Sequence, residues 1–424
     1  MKKIFCSFLV LLSLLTILPT AKADTTSTNT SFSLSAKAAI AVDSDSGKIL
    51  WEQNSKKSGL GIASITKLIT TYLTYQAVKD GKLKWDTKVS ISDYAYNLTL
   101  NSDASNVTLK KGESFTVKDL VNAMLLPSAN SAAIALAEKI AGSEPKFVDQ
   151  MTALLKKWGI TDAKLVNASG LNNADLPAAN RYPGSGATDE NTMSAQDVAT
   201  IAIHLLADYP AVLNITKQSS LTFDAGGASE QTISNTNYML PGHDTSRIDV
   251  DGLKTGSTTL AGGCFVGTSM SNFRIITVIL GAATDDTDRF VQTDSLMTQV
   301  YNNWTLQPVS TRTLPIDGYS SVPVQDGTAS SVKAVAAVDD YAVVPVKGAN
   351  LATKFDKPSG GYVSAPVKKG DKLATAYFTL NDSLGYLPGY SGQKVNLVAQ
   401  NDVPEANIFV VAWNHFVRFV NKNL

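Results

Sequence analysis

The sequence predicts an α/β protein of the α+β kind. An antiparallel sheet flanked by helices comes first, then a small all-β domain, then a C-terminal amphipathic helix. Three observations carry that expectation. Between residues 38 and 304, strand-like runs near both ends enclose runs whose apolar residues recur at helical spacing. From about Leu306 to Gln400 the helical period is lost, and short Val-rich runs alternate with Gly, Asp and Ser turns. From Ile408 onward, apolar and polar side chains separate onto two helical faces.

The chain opens with Met1-Lys2-Lys3, an almost wholly apolar run at residues 4–19, and Ala21-Lys22-Ala23. A basic start, an apolar stretch and a small-x-small site predict a secretory signal at residues 1–23, cut before Asp24. Residues 24–35 are rich in Thr, Ser and Asn and are expected to be a loose leader. Residues 38–42 and 48–52 read as a hairpin around Asp43-Ser44-Asp45-Ser46-Gly47. A helix opens at Ser64, buries Ile65, Leu68, Ile69, Tyr72 and Leu73 on one face, and runs to about Gly81. Thr116-Val117-Lys118-Asp119 has the form of a capping box and starts a helix that stops at Pro127. The next helix starts at Ser131 and reaches about Ile140, so Ser128-Ala129-Asn130 falls on a tight connection. Asn167-Ala168-Ser169-Gly170-Leu171 begins a long Gly/Pro/Asn loop, and Ser194-Ala195-Gln196-Asp197 caps a helix to about Tyr209. Residues 263–269 and 273–281 read as an antiparallel pair turning at Met270-Ser271-Asn272, and a helix after Asp288-Arg289-Phe290 runs to about Trp304. The expected domains are therefore 36–305 and 306–402, with the terminal helix in 403–424.

The 37 basic and 37 acidic residues balance. Loss of Lys2, Lys3 and Lys22 with the leader leaves 34 basic residues, so the mature chain is slightly acidic and nothing suggests a nucleic-acid partner. Cys6 leaves with the leader, and Cys264 alone allows no internal disulfide and no cysteine-based metal site. Cys264 reads as a buried strand thiol that packs. No His-Glu-x-x-His helix occurs, and no metal or cofactor is expected.

Ser64 and Lys67 stand three apart at a helix start, so they share one strip of its surface. A hydroxyl with an amine one turn on suits nucleophilic catalysis if the amine is held neutral, and burial and the helix dipole both push that way. The same four letters also describe an N-cap followed by an exposed lysine. Two further short signals follow in order, Ser128-x-Asn130 and Lys254-Thr255-Gly256. Of the histidines, His204 lies in an apolar helix, His243 in a Pro-Gly turn and His415 in the terminal helix, none beside a motif serine in sequence. A Gly-x-Ser-x-Gly elbow is absent, so a lysine base explains the chain better than a Ser-His-Asp triad.

The three motifs in this order form the set found in penicillin-binding proteins and class A β-lactamases. Their surroundings are Ile62-Ala63-Ser64-Ile65-Thr66-Lys67, Leu126-Pro127-Ser128-Ala129-Asn130, Asn167-Ala168-Ser169-Gly170-Leu171, Met193-Ser194-Ala195-Gln196-Asp197 and Val250-Asp251-Gly252-Leu253-Lys254-Thr255-Gly256. Together they resemble the D-alanyl-D-alanine carboxypeptidases, low-molecular-mass penicillin-binding proteins of peptidase family S11. The resemblance covers about residues 36–300 with motifs, and the β domain and terminal helix match the family's layout. It implies a β-lactamase-like transpeptidase fold and removal of the terminal D-alanine from peptidoglycan stem pentapeptides. It also implies inhibition by β-lactam antibiotics.

The implied roles are as follows. Ser64 attacks the carbonyl between two D-alanines, Lys67 accepts its proton, Ser128 relays a proton to the leaving amine, and Asn130 holds Lys67 and the substrate amide. Lys254 and Thr255 hold the terminal carboxylate, Gly256 belongs to the same strand motif, and the backbone N–H groups of Ser64 and Ser257 form an oxyanion hole. Arg289 resembles the family's carboxylate-binding arginine. A class A β-lactamase carries Glu-x-x-x-Asn after the second motif. Here Glu138, Glu144, Glu190 and Glu230 lack an asparagine four residues on. A transpeptidase or endopeptidase on the same fold, and a non-catalytic cell-envelope binding protein, stay open as alternatives.

In the terminal helix, Ile408, Phe409, Ala412, Trp413, Phe416, Phe419 and Val420 share one face. At ~1.5 Å per residue the run spans about 25 Å, short of the ~30 Å hydrocarbon core of a bilayer. The expectation is a helix lying in the membrane surface, with Arg418 and Lys422 toward anionic headgroups. The enzyme would then work outside the cell, between cytoplasmic membrane and wall.

Overall fold

The computed structural model describes residues 32–423 apart from 102, 103, 284 and 286. The expected secretory signal, residues 1–23, lies outside the described residues. Only the end of the expected loose leader is described, and it is not loose. Phe32 packs edge-on against Trp51 at 5.4 Å, and the Leu34 N–H donates to Gln53 Oε1 at 3.0 Å.

The centre is a five-stranded antiparallel sheet of β1 (Ala38–Asp43), β2 (Ile49–Gln53), β3 (Val250–Thr258), β4 (Gly262–Met270) and β5 (Arg274–Ala282). Its order is β2-β1-β5-β4-β3, so the two ends of the first domain pair at its middle, Ala41 opposite Thr277. Strand alternation feeds two cores. Ile40, Val42, Ile276 and Val278 face one cluster, while Ala39, Ala41, Ile275 and Ile279 face the other. The first cluster is roofed by α1 (Lys67–Lys79), α2 (Val117–Leu125), α3 (Asn130–Ala141), α4 (Glu144–Lys157) and α5 (Ala195–Asp208). The second is covered by Phe290, Leu296, Met297 and Val300 of α6 (Asp288–Asn303).

The expected caps form. The Thr116 hydroxyl accepts from the Asp119 N–H at 3.0 Å, and Ser194 and Asp197 make a reciprocal capping box. Helix α3 begins at Asn130, one residue before the expected start, and ends at Gly142 in the left-handed region, φ 80°.

Beyond Trp304 the chain is β-rich. A six-stranded sheet holds Val322, Val332, Ala376, Val395 and Leu397 in its own core. The strand Trp304–Ser310 pairs with Asp340–Pro345, while the Trp304 indole N–H donates to Leu50 O at 3.1 Å. One loop returns to the first domain. There Lys48, only 1% exposed, donates to Asp382 Oδ1, Gly385 O and Ile49 O, each at 2.9 Å. The Lys48 amine also lies 5.5 Å from the Trp304 ring and 5.3 Å from that of Tyr386. The all-β region is thus fastened to the first domain through a buried charge.

The last helix, α7 (Ile408–Asn423), carries its apolar residues outward, with Phe409 84% and Trp413 64% exposed. Its polar side meets the β domain. The Arg418 guanidinium forks onto Asp326 at 3.1 and 2.8 Å, and Asn414 donates to the same carboxylate at 3.2 Å. Arg418 therefore does not face outward as expected, because a fixed carboxylate satisfies its planar fork better than a diffuse surface. Among the described residues no single helix is long and apolar enough to cross a membrane.

The Lys48–Asp382 contact gives a stability test. Asp382→Ala should cost about 3 kcal/mol or more in urea melts, because it leaves the buried ammonium without its counter-charge. The pair Lys48→Met with Asp382→Leu should recover part of that loss. A loss under about 1 kcal/mol for Asp382→Ala would show that the contact holds nothing.

Candidate active site

Ser64 lies in a short 3-10 turn, Ala63–Thr66, and Lys67 is the first residue of α1. No side chain caps either element, so the Ser64 hydroxyl is left for Lys67. The turn is under strain, since Ala63 has φ 45°, a conformation that costs a non-glycine residue about 1–3 kcal/mol. Packing fixes it. Gly170 presses its backbone onto Ala63, and a Cβ there would lie 1.9 Å from Ala63 O. The loop that brings Gly170 in is set by Asn167, whose Oδ1 accepts from the Gly170 N–H at 2.6 Å, and by Asn191, whose amide donates to Asn167 O and Thr66 Oγ1, both at 2.9 Å.

Lys67 is fully buried and has three hydrogen-bond neighbours. Its Nζ lies 2.8 Å from Ser64 Oγ, 2.7 Å from Asn130 Oδ1 and 2.7 Å from Ser169 O. Burial first, and then the nearby Lys254 ammonium, hold the Lys67 amine well below the usual lysine range. A neutral amine has two N–H groups and one lone pair. Asn130 Oδ1 and Ser169 O can only accept, so they take the two N–H groups and leave the lone pair for the Ser64 proton. Asn130 cannot turn, because its Nδ2 donates to Ser105 O at 2.9 Å. Ser128, between α2 and α3, has φ 65°, and its buried hydroxyl has no hydrogen-bond partner among the described residues. An unsatisfied hydroxyl in a strained turn between two motif segments is a group held ready for a proton or a ligand.

Strand β3 runs past this cluster. Gly256 lets it pass closely, since a Cβ there would lie 3.0 Å from both Ile62 O and the Ser64 nitrogen. Lys254 is buried, and its pKa falls to about 7, from burial first and then from Arg289. Thr255 Oγ1 lies 2.6 Å from Thr236 Oγ1. Arg289, at the start of α6, donates to Gly256 O at 3.0 Å and Ser257 Oγ at 3.1 Å. Every sequence-predicted site residue is thus brought to one cleft, Arg289 included. The histidines lie elsewhere. His204 stacks on Trp158 at 4.3 Å, His243 on Tyr238 at 4.5 Å, and His415 lies 3.4 Å from Asp326. The Cys264 thiol is buried, which pushes its pKa up to about 11. Among the described residues no group of three or more His, Cys, Asp or Glu is placed to hold a metal.

Comparison with known proteins follows this geometry. Residues 23–284 match the family described as D-alanyl-D-alanine carboxypeptidase, and residues 313–405 match the penicillin-binding protein 5 C-terminal domain. The D-alanyl-D-alanine carboxypeptidase DacC of Escherichia coli K12 is 30% identical over 88% of this chain and 86% of its own length. The structure of a peptidoglycan synthesis regulatory factor (PBP3) from Streptococcus pneumoniae superposes with a TM-score of 0.81 at 43% identity, covering 88% of this chain and all of the other. Penicillin-binding protein D2 of Listeria monocytogenes in its ampicillin-bound form gives a TM-score of 0.53 at 31% identity, over 64% of this chain and 98% of that one.

Sequence reasoning missed Asn191 and a second residue behind the Lys67 cluster. Glu144, at the start of α4, accepts from the Ala168 N–H at 2.9 Å and the Tyr94 hydroxyl at 2.7 Å. Ala168 is the neighbour of Ser169, so Glu144 braces the carbonyl that holds Lys67. Burial raises the Glu144 pKa to about 7. Between about pH 4.5 and 7 the unfolded chain ionises Glu144 while the folded chain keeps it protonated. Stability from this group is therefore full below pH 4.5 and is lost as pH rises through 7, by about 3 kcal/mol. Urea melts across that range should show a steeper decline for the wild type than for Glu144→Gln. Parallel profiles would mean that Glu144 is not protonated in the fold.

Proposed function

This chain belongs to the D-alanyl-D-alanine carboxypeptidases of peptidase family S11, and on that premise we propose how its cleft divides the work. It is a serine-type D-Ala-D-Ala carboxypeptidase of peptidoglycan metabolism. Neutral Lys67 takes the Ser64 proton as Ser64 Oγ attacks the carbonyl of the penultimate D-alanine. The oxyanion is held by the N–H groups of Ser64 and Ser257, and one such donor contributes roughly 10²–10³ in rate in other hydrolases. Ser128 passes the proton to the departing amine, the C–N bond breaks and D-alanine leaves. Water, deprotonated by Lys67, then releases the shortened stem and restores Ser64. Lys254, Thr255 and Arg289 hold the terminal carboxylate, Gly256 keeps the strand close to Ser64, and Asn130 fixes Lys67 and the substrate amide.

The observation that carries this reading is the set of three hydrogen-bond partners around the Lys67 amine, two acceptors and the Ser64 hydroxyl. A β-lactam presents a strained amide to the same serine, so β-lactams are expected to acylate Ser64, as the ampicillin- and cefotaxime-bound forms of the Listeria protein suggest. Intact-mass spectrometry after benzylpenicillin should show one adduct on the wild type and none on Ser64→Ala. Lys67→Arg should slow acylation by ~10³ or more, because a guanidinium is not a base at neutral pH. Release of D-alanine from a pentapeptide should follow the same order. An adduct on Ser64→Ala, or near-normal acylation of Lys67→Arg, overturns the assignment.

Peptidoglycan lies outside the cytoplasm, and we place the enzyme there, exported by residues 1–23 and resting on the membrane through α7. Support comes from the outward apolar residues of that helix, Phe409, Trp413 and Phe416 among them, while Asn414 and Arg418 hold it to the β domain. A chain ending at Val403 should keep full activity on a soluble peptide and lose sedimentation with anionic liposomes. Unchanged liposome binding would make α7 a structural helix only.

A further inference from the structure

We infer that Thr258, backed by the buried carboxylate of Glu190, forms a subsite for a cation on the acyl side of the cleft. The enzyme then prefers stems in which the residue before D-Ala-D-Ala carries a free side-chain amine, as lysine does. This rests on the roles proposed above, which put the terminal carboxylate at Thr255 and the carbonyl under attack at the Ser257 N–H. Strand β3 ends one residue further on, at Thr258. Strand alternation puts Lys254, Gly256 and Thr258 on one face, the face that Gly256 presents to the Ser64 nitrogen. A substrate laid from Thr255 to Ser257 therefore carries the residue before its scissile D-Ala-D-Ala unit past Thr258.

The chain around Glu190 fixes it at that end. Asn191 O accepts from the Ile62 N–H at 3.1 Å, and Thr192 and Met193 pair with Gly61 and Leu60, so this stretch runs beside the approach to Ser64. Glu190 is only 3% exposed. Its Oε2 accepts from the Thr258 hydroxyl at 2.7 Å and its Oε1 from the Asn172 amide at 3.0 Å. Both partners are neutral, and among the described residues no lysine or arginine forms an ion pair with Glu190. The two lysines at this end are engaged elsewhere. Lys164 pairs with Asp189 at 2.7 Å, and Lys37 donates to Leu260 O at 3.4 Å.

This arrangement sets the polarity of Thr258. A carboxylate only accepts, so the single Thr258 proton points at Glu190. The Ala261 N–H takes one lone pair of the hydroxyl at 2.9 Å. The other lone pair remains, on a half-buried oxygen with a negative charge behind it. Such an oxygen accepts from an ammonium and opposes a carboxylate. A buried carboxylate with no counter-ion is unfavourable, and a substrate ammonium at Thr258 offsets that cost.

The test compares two peptides on the full chain. One is Nα-acetyl-lysyl-D-Ala-D-Ala, with a free side-chain ammonium; the other is the Nα,Nε-diacetyl peptide, without one. For release of D-alanine, kcat/KM should be about tenfold or more higher for the first, the range of a charge-assisted hydrogen bond. Glu190→Gln and Thr258→Val should each bring that ratio to within about twofold of one. In Glu190→Gln the Asn172 amide cannot turn, because its Oδ1 accepts from the Ala174 N–H at 2.8 Å. The new carbonyl therefore faces Asn172, the new amide donates to Thr258, and the Thr258 proton is turned out toward the substrate. Loss of a merely structural tie would slow both peptides equally and leave the ratio where it was. Uptake of benzylpenicillin, read by intact mass, reports a folded cleft in each variant, and if one variant fails to fold the other decides. A wild-type ratio near one, or a ratio unchanged in the folded variants, overturns the inference. If the wild type takes up benzylpenicillin and cleaves neither peptide, the carboxypeptidase roles fail and this inference falls with them.

Discussion

The structure depends on a lysine amine kept dry. Lys67 is fully buried, and its hydrogen-bond partners are a hydroxyl, a side-chain amide and a backbone carbonyl. None of these carries a charge that would stabilise an ammonium. The charged group nearest in effect is Lys254, which opposes a second positive charge. In such a setting the neutral amine is favoured over the ammonium. The cleft favours an uncharged amine by withholding a counter-ion, and three distant segments must meet for that to happen: the start of α1, the start of α3 and the loop through Ser169.

Bringing three backbones that close needs residues without side chains at the contacts, and the strain falls on the residues beside them. Gly170 lies on Ala63, and Gly256 passes the Ser64 nitrogen. Ala63 and Ser128 take positive φ angles of 45° and 65°. The glycine of the third motif and the glycine of the Asn167–Leu171 segment therefore serve the same end from opposite sides. One seats the strand proposed to bind substrate and the other seats the turn that carries Ser64.

This explains which parts of the site could be read from sequence. In the proposed reading Ser64, Lys67, Ser128, Asn130 and Lys254 act through side chains of particular chemistry in short motifs, so residue types alone expose them. Arg289 also acts through its side chain, but it comes from the next helix, and only folding shows that it reaches Gly256 and Ser257. Ser169 contributes a carbonyl, which any residue could supply, and so leaves no signature in the letters. Asn191 and Glu144 brace a loop across 24 residues of chain, by contacts no local pattern encodes. The sheet was legible at its edges, where hairpins and alternation are local. The pairing of β1 with β5 was not, because its partners lie at opposite ends of the domain.

The same contrast between dry and wet charge governs how the domains are joined. Lys48 is sealed between the β1–β2 turn and the loop at Asp382, so breaking that pair would strand a buried ion, and the two domains are coupled in stability. Arg418 and Asp326 form a pair that solvent reaches, with side-chain exposures of 37% and 13%. Such a pair contributes about 1 kcal/mol or less. With the Asn414 hydrogen bond to the same carboxylate, its forked geometry sets which way the helix is turned. The first joint therefore keeps the cleft and the β domain as one unit.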